Sequence, residues 1–247
     1  MNKPNEIYKI RVAYDITFLA RAFKYPDVQS GVYRAIEDLL MSLCKVKDLE
    51  LAVVCLCSDR IIEDTVQGLL YLSERRTALD CQMIRTFRSR LRLEELYCKF
   101  LTSALLKQRH DASVGKRAYT KAMSALLYRL YKYGIDKVDS YVDSDAFDIF
   151  HSPFLTLPPK SKTRSTPRVI NIYDLFPITH SRMFSDDIVR TLQNVIDNID
   201  KSSDWVICNS QYVKQDIRDK LGIPTERIFV IPLAAGSGIQ LIDDKDY

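Results

Sequence analysis

Short apolar runs alternate with stretches of helical periodicity along most of the chain. Tyr8–Asp15 is rich in β-forming residues and ends in a carboxylate, which predicts a strand. Ser30-Gly31 then opens a helix: Ser30 is placed to cap it, and Val32, Ala35, Ile36, Leu39, Leu40 and Leu43 recur at three- and four-residue steps. Leu49–Cys57 is almost wholly apolar, as expected of a strand buried on both faces of a parallel sheet. A helix from about Ile61 to Glu74 and a short strand near Cys81–Ile84 follow. Further on, Phe147–His151 predicts a strand and Pro153–Pro167 a polar, proline-rich loop. Arg168–Tyr173 predicts another strand, again running into a carboxylate, Asp174. Ser185 is placed to cap a helix carrying Ile188, Val189, Leu192, Val195, Ile196 and Ile199. Trp205–Cys208 reads as a buried strand, and Ser210 caps a helix over Gln211–Leu221. Gly222 stands where a left-handed residue ends that helix, and Pro224 blocks its continuation. Arg227–Leu233 is the last predicted strand.

The middle breaks this rhythm. Residues 85–137 read as two helices separated near His110–Gly115. They hold thirteen basic and four acidic residues, a local +9 in a chain whose total is +4. Tyr97, Phe100, Tyr119, Tyr128, Tyr131 and Tyr133 interleave with that charge. The segment reads either as a solvated helical face packed on the sheet or as a surface for anionic headgroups or phosphates.

The fold expected is α/β: a Rossmann-like, mostly parallel sheet with helices on both faces. It forms a single domain over residues 1–247 with a basic helical insertion at about 85–137. Hydrophobic residues at 47% and charged residues at 28% suit a globular chain and exclude disorder, collagen and coiled coil as whole-chain descriptions. The total charge is too small to argue for nucleic acid, and no nucleic-acid partner is expected. The polar opening Met1–Glu6 does not resemble a signal peptide, and no apolar run reaches the roughly 18 residues of a membrane span. The expected location is cytoplasmic, at most peripheral at the inner face of the plasma membrane. Six cysteines, none spaced as CxxC, read as small buried hydrophobes, and the three histidines share no metal-ligand spacing. Neither a metal nor a cofactor is expected.

Ligands of parallel sheets bind beyond the carboxyl ends of the strands, which selects the turns after Asp15, His151, Tyr173 and Cys208. Ser30, Gly31 and Val32 begin a helix after the first strand, where free N–H groups and the helix dipole favour a phosphate. The same residues also suit an ordinary capped helix start. Tyr173 and Asp174 stand at a strand mouth: Asp174 could bind sugar hydroxyls, orient a neighbour, act as a base, or simply cap the next turn. His151 stands at another strand mouth, where an imidazole can hold a hydroxyl, and His180 follows the Asp174 turn. Ser210 lacks the surroundings of a nucleophile and reads as a cap.

The ordered stretches SGVYR from Ser30, DIFHSP from Asp148, VINIYDLFPITH from Val169, SDWVICNSQYVKQDI from Ser203 and LGIPTERIFVIPLAA from Leu221 resemble the N-terminal domain of family 4 glycosyltransferases. These are retaining enzymes with two facing Rossmann-like domains, the GT-B architecture. The resemblance is strongest over Asp148–Ala235 and recurs over Val12–Leu40. It implies that Ser30, Gly31 and Val32 approach the diphosphate of a nucleotide-sugar, the donor substrate. It also implies that Tyr173 and Asp174 line the cleft near the reacting sugar, with Tyr173 where many relatives carry histidine. His151, His180, Asn209 and Ser210 fall on the acceptor side. A glycan or lipid-linked acceptor in surface polysaccharide or glycolipid synthesis is implied. Only 14 residues follow Leu233, where the family continues into a nucleotide-sugar domain. The expectation is therefore an acceptor-side half with little turnover alone, completed by a C-terminal domain or a partner subunit. The alternative is a non-catalytic subunit or scaffold that pairs with a catalytic chain.

Overall fold

A computed structural model describes residues 9–24, 31–75, 81–109, 114–143 and 145–234. Nine strands and nine α-helices follow one another among them. They are β1 (Ile10–Asp15), α1 (Thr17–Lys24), α2 (Gly31–Leu43), β2 (Leu49–Val54), α3 (Ile61–Glu74), β3 (Gln82–Met83), β4 (Phe87–Ser89), α4 (Glu94–Arg109) and α5 (Val114–Lys132). The chain continues through β5 (Val138–Ser140), β6 (Ile149–Ser152), α6 (Lys160–Thr163), β7 (Arg168–Ile172), α7 (Phe176–Thr179), α8 (Asp186–Asp197), β8 (Trp205–Cys208), α9 (Gln211–Asp216) and β9 (Ile228–Val230).

Seven strands form one parallel sheet in the order β3-β2-β1-β6-β7-β8-β9. The chain builds outward from β1 to β3, then returns to the other side of β1 to lay down β6 and its successors. The switch point therefore falls between β1 and β6, where Tyr14 stands beside His151 in register. Alternate residues along each strand feed two cores. Val12, Tyr14 and Val53 meet Leu19 of α1 and Tyr33, Ile36 and Leu40 of α2 on one face. Ala13, Val54, Phe150 and Ile170 meet Tyr97 of α4, Leu127 of α5, Val195 of α8 and Ile217 on the other. Helices thus cover both faces, and the fold is α/β and Rossmann-like.

Asp15 locks the switch point. Its carboxylate is buried and accepts the backbone N–H groups of Leu56 (2.6 Å), Cys57 (2.8 Å) and Thr17 (2.9 Å). One side chain thereby ties the end of β1 to the chain leaving β2 and to the start of α1. Burial pushes its pKa up, against the pull of those hydrogen bonds. At the opposite edge, Arg168 and Asp204 form a buried pair. Arg168 Nε donates to Asp204 at 2.8 Å and its Nη1 donates to the Pro158 carbonyl at 2.6 Å.

Several local features differ from the periodicity. Residues 87–89 are a strand rather than helix, paired antiparallel with β5. Phe87 and Ser89 point inward and Arg88 outward, a period of two inside a segment that is otherwise helical. The predicted break near His110–Gly115 falls largely on residues outside those described, and α5 already starts at Val114. The loop Pro153–Pro167 contains α6, and α1 had no counterpart in the sequence reading. Ser185 holds the extended N-cap conformation of α8, yet its side chain makes no capping bond. Ser210 does cap α9, accepting from Val213 N–H at 3.2 Å. That helix passes into a π-helical turn over Ile217–Leu221 and ends on Gly222 at φ +67°.

Candidate functional site

A row of polar side chains crosses the sheet beside the switch point, on the face covered by α2. Tyr14 of β1 meets the His151 ring edge-on, with centroids 5.1 Å apart. His151 of β6 contacts Asn171 of β7, with Nε2 at 2.8 Å from Oδ1. Asn171 Nδ2 donates to the Tyr173 hydroxyl at 3.4 Å. The row follows from register and period: neighbouring parallel strands bring Tyr14 beside His151, and the two-residue step along β7 puts Asn171 and Tyr173 on the same face.

Chemistry fixes the direction of this row. The Asn171 oxygen can only accept, so a neutral His151 carries its proton on Nε2. The Asn171 amide then donates to the phenol oxygen, which leaves the Tyr173 hydroxyl proton free to point away from the protein. Burial lowers the pKa of His151, although Asn171 opposes the shift. Burial likewise raises that of Tyr173, against the same asparagine. Both groups are therefore neutral near pH 7, and the half-buried phenol ends the row as a hydrogen-bond donor rather than a base. Phe154 flanks Tyr173 at 6.2 Å between centroids and packs on Phe18 of α1 at 4.7 Å, walling the row with aromatic surface.

The other predicted residues lie around this row with varied roles. Asp174 is exposed and its Oδ1 accepts from Phe176 N–H at 2.9 Å, the geometry of a turn cap. His180 is exposed, stacked on Phe176 at 5.1 Å, with Nδ1 2.8 Å from Thr179 Oγ1. Asn209 is half-buried after β8, and Ser210 is occupied in capping α9. Ser30 lies outside the described residues. Gly31 is the first residue of α2 and is exposed, and a Cβ placed on it would meet nothing within 4 Å. Val32 is half-buried against the α2-side core. Because β1 and β2 are parallel, α2 runs back along the sheet and its first turn faces the carboxyl edge. Only His151 and Tyr173 of the predicted set enter the polar row. Asn171, which joins them, was missed, although a polar residue flanked by the apolar Val169, Ile170 and Ile172 was a readable signal.

Among the described residues, no group of three or more His, Cys, Asp or Glu could hold a metal ion, and no helix is long and apolar enough to cross a membrane. The sequence model of Glycosyltransferase Family 4 matches residues 102–234, more than half of the chain. That stretch contains His151, Asn171, Tyr173, Asp174, His180, Asn209 and Ser210, while Ser30, Gly31 and Val32 precede it. No curated protein and no solved structure matches the chain.

Proposed function

The chain belongs to glycosyltransferase family 4, and on that premise we propose that it forms the acceptor-side domain of a retaining enzyme that takes a sugar from a nucleotide-sugar. The observation that carries this reading is the oriented row His151–Asn171–Tyr173, which ends in a free hydroxyl donor beside the Phe154 ring. Neutral donors and aromatic surface suit an uncharged polyol better than an ion. In transfer, an acceptor hydroxyl oxygen bonds to the anomeric carbon as the bond from that carbon to the diphosphate breaks. The diphosphate departs with the electron pair, and the hydroxyl proton passes to it or to water. Tyr173 would hold a sugar hydroxyl in place for that step, with Asn171 and His151 positioning it. The first turn of α2, with open space above Gly31, would receive the diphosphate. A glycan or lipid-linked acceptor fits the same row, and α4 and α5 expose Leu106, Leu126 and Tyr119 among their basic residues, which suits residence on an anionic membrane.

The test is binding of the full chain to an array of immobilised oligosaccharides, repeated with Tyr173→Phe and Asn171→Leu. A defined subset of glycans should be retained by the native protein. Tyr173→Phe should weaken retention about tenfold, the effect of one buried hydrogen bond. Absence of glycan binding, or binding indifferent to both substitutions, would refute the acceptor assignment.

A further inference from the structure

A strongly basic region lies on the sheet face opposite the His151–Tyr173 row, where the β4–β5 ribbon meets α6. A groove of about 640 Å³ is lined by Arg88, Arg90, Arg92 and Lys137 together with Asp139 and Tyr141. A second, of about 380 Å³, shares Asp139 and Tyr141 and adds Lys162 and Arg164. Six basic side chains thus face a single carboxylate. Among the described residues none of the six forms an ion pair.

Such crowding works against folding, since like charges repel and the one carboxylate, Asp139, offsets only a single charge. Two of the six also sit in costly backbone conformations. Arg92 at φ +55° and Arg164 at φ +52° are the non-glycine residues with positive φ among those described. Arg164, with ψ −124°, occupies a region that suits glycine. Both are held there by their surroundings. Leu91 N–H donates to the buried carboxylate of Asp136 at 2.8 Å, Arg90 N–H to the Lys137 carbonyl at 2.7 Å, and Arg92 N–H to the Ser89 carbonyl at 3.1 Å. Arg164 N–H donates to the Lys160 carbonyl at 2.6 Å, and its guanidinium lies over the Tyr141 ring at 4.6 Å. The backbone that carries Arg90, Arg92 and Arg164 is therefore fixed, and the Arg164 guanidinium is held against the Tyr141 ring.

We propose that the two grooves form one binding site for a ligand carrying at least two phosphate groups. With Asp139 the grooves carry a net +5, and a single monovalent anion would still leave +4. Linked phosphates deliver several charges within reach of several arginines, whose planar forks pair with phosphate oxygens two at a time. The phosphates belong either to a free oligophosphate or to the headgroups of an anionic lipid surface. The site is independent of the glycan row.

The experiment has two arms, both with the full chain at low salt. Calorimetry with pyrophosphate and tripolyphosphate reads free phosphate. Flotation with phosphatidylcholine vesicles containing phosphatidylglycerol reads headgroups. Binding is expected in at least one arm, should weaken as salt is added, and should fall at least about tenfold in Arg90→Ala/Lys137→Ala. Arg164→Gly separates site from fold. Glycine accepts the observed backbone, so this variant should melt no lower than the native protein while binding less tightly. No binding in either arm, binding unchanged in the double variant, or an Arg164→Gly protein that melts lower with binding intact would each overturn the proposal. Neither arm uses a glycan or a nucleotide-sugar, so failure here leaves the acceptor reading standing, and the reverse also holds.

Discussion

Removing the Asp15 carboxylate should destabilise the domain at the point where its two halves meet. Its three backbone donors all lie between 2.6 and 2.9 Å. Hydrogen bonds to a charged acceptor contribute roughly 1.5–3 kcal/mol each, and orphaned buried donors cost a similar amount. Part of that gain is already offset by the burial that raises the Asp15 pKa. Asp15→Ala should therefore cost about 3–6 kcal/mol, a large share of the 5–15 kcal/mol typical of a domain. Asp15→Asn should cost less, about 1–3 kcal/mol. Its oxygen can keep the Leu56 and Cys57 donors, but its amide cannot accept from Thr17 N–H. It can donate instead to the buried Thr17 Oγ1. Urea unfolding at constant slope measures both losses. The pH dependence adds a second check. An acid whose folded pKa is raised binds more protons folded than unfolded, so its stabilising contribution falls as pH rises from 3.8 towards the folded value and is level above it. The gap between native and Asp15→Asn should narrow over that window, because every other carboxylate titrates in both proteins. An Asp15→Ala protein within about 1 kcal/mol of native would show that these bonds do not hold the switch point together.

Three further outcomes follow from the packing. Asp204→Ala strands the buried Arg168 guanidinium and should cost about 3–5 kcal/mol, whereas Arg168→Met/Asp204→Leu should recover most of it; a double variant whose loss equals the sum of the two single losses would contradict a buried ion pair at the base of β7 and β8. A Cβ on Gly68 would stand 2.9 Å from Met83 Cε, 3.2 Å from Cys55 Sγ and 3.3 Å from Ile16 Cδ1, so Gly68→Val should lose about 1–3 kcal/mol to overpacking. Gly31→Val, with open space above it, should unfold within about 0.5 kcal/mol of native, and the reverse order in thermal melts would contradict the packing of α3 on the sheet. Because burial depresses the His151 pKa, folding excludes its proton, and stability should decline as pH falls below 6.5, by at most about 1.4 kcal/mol per unit, with the slope reduced in His151→Gln.

Some of this architecture was legible in the sequence because local signals coincided with tertiary demands. The helix over Ile61–Glu74 and the strand Trp205–Cys208 appear with the predicted bounds, and Gly222 adopts the left-handed conformation that ends its helix. The strand β4 was hidden because three residues carry little periodicity, and its partner β5 lies some fifty positions away. Helix α1 is only eight residues long, and its first N–H is satisfied by Asp15, a residue of the preceding strand. At the site, the types of His151 and Tyr173 and their strand-mouth positions could be read. Their connection through Asn171 depends on sheet register, which no single strand contains. Asp174 and Ser210 took the capping roles that their residue types favour. The basic grooves were readable only as charge, because Arg88, Lys137 and Arg164 come together through the ribbon and the loop before β7.

The placement of the cleft at the β1–β6 switch is tested most directly by amide chemical-shift mapping. The isotopically labelled full chain would be titrated with UDP, GDP and ADP in turn. At least one should move the amides of Gly31 and Val32 together with that of Tyr173, while a nucleotide-free buffer control leaves them in place. Shifts confined to other faces of the domain, or none at these three positions at the highest soluble concentration, would contradict it.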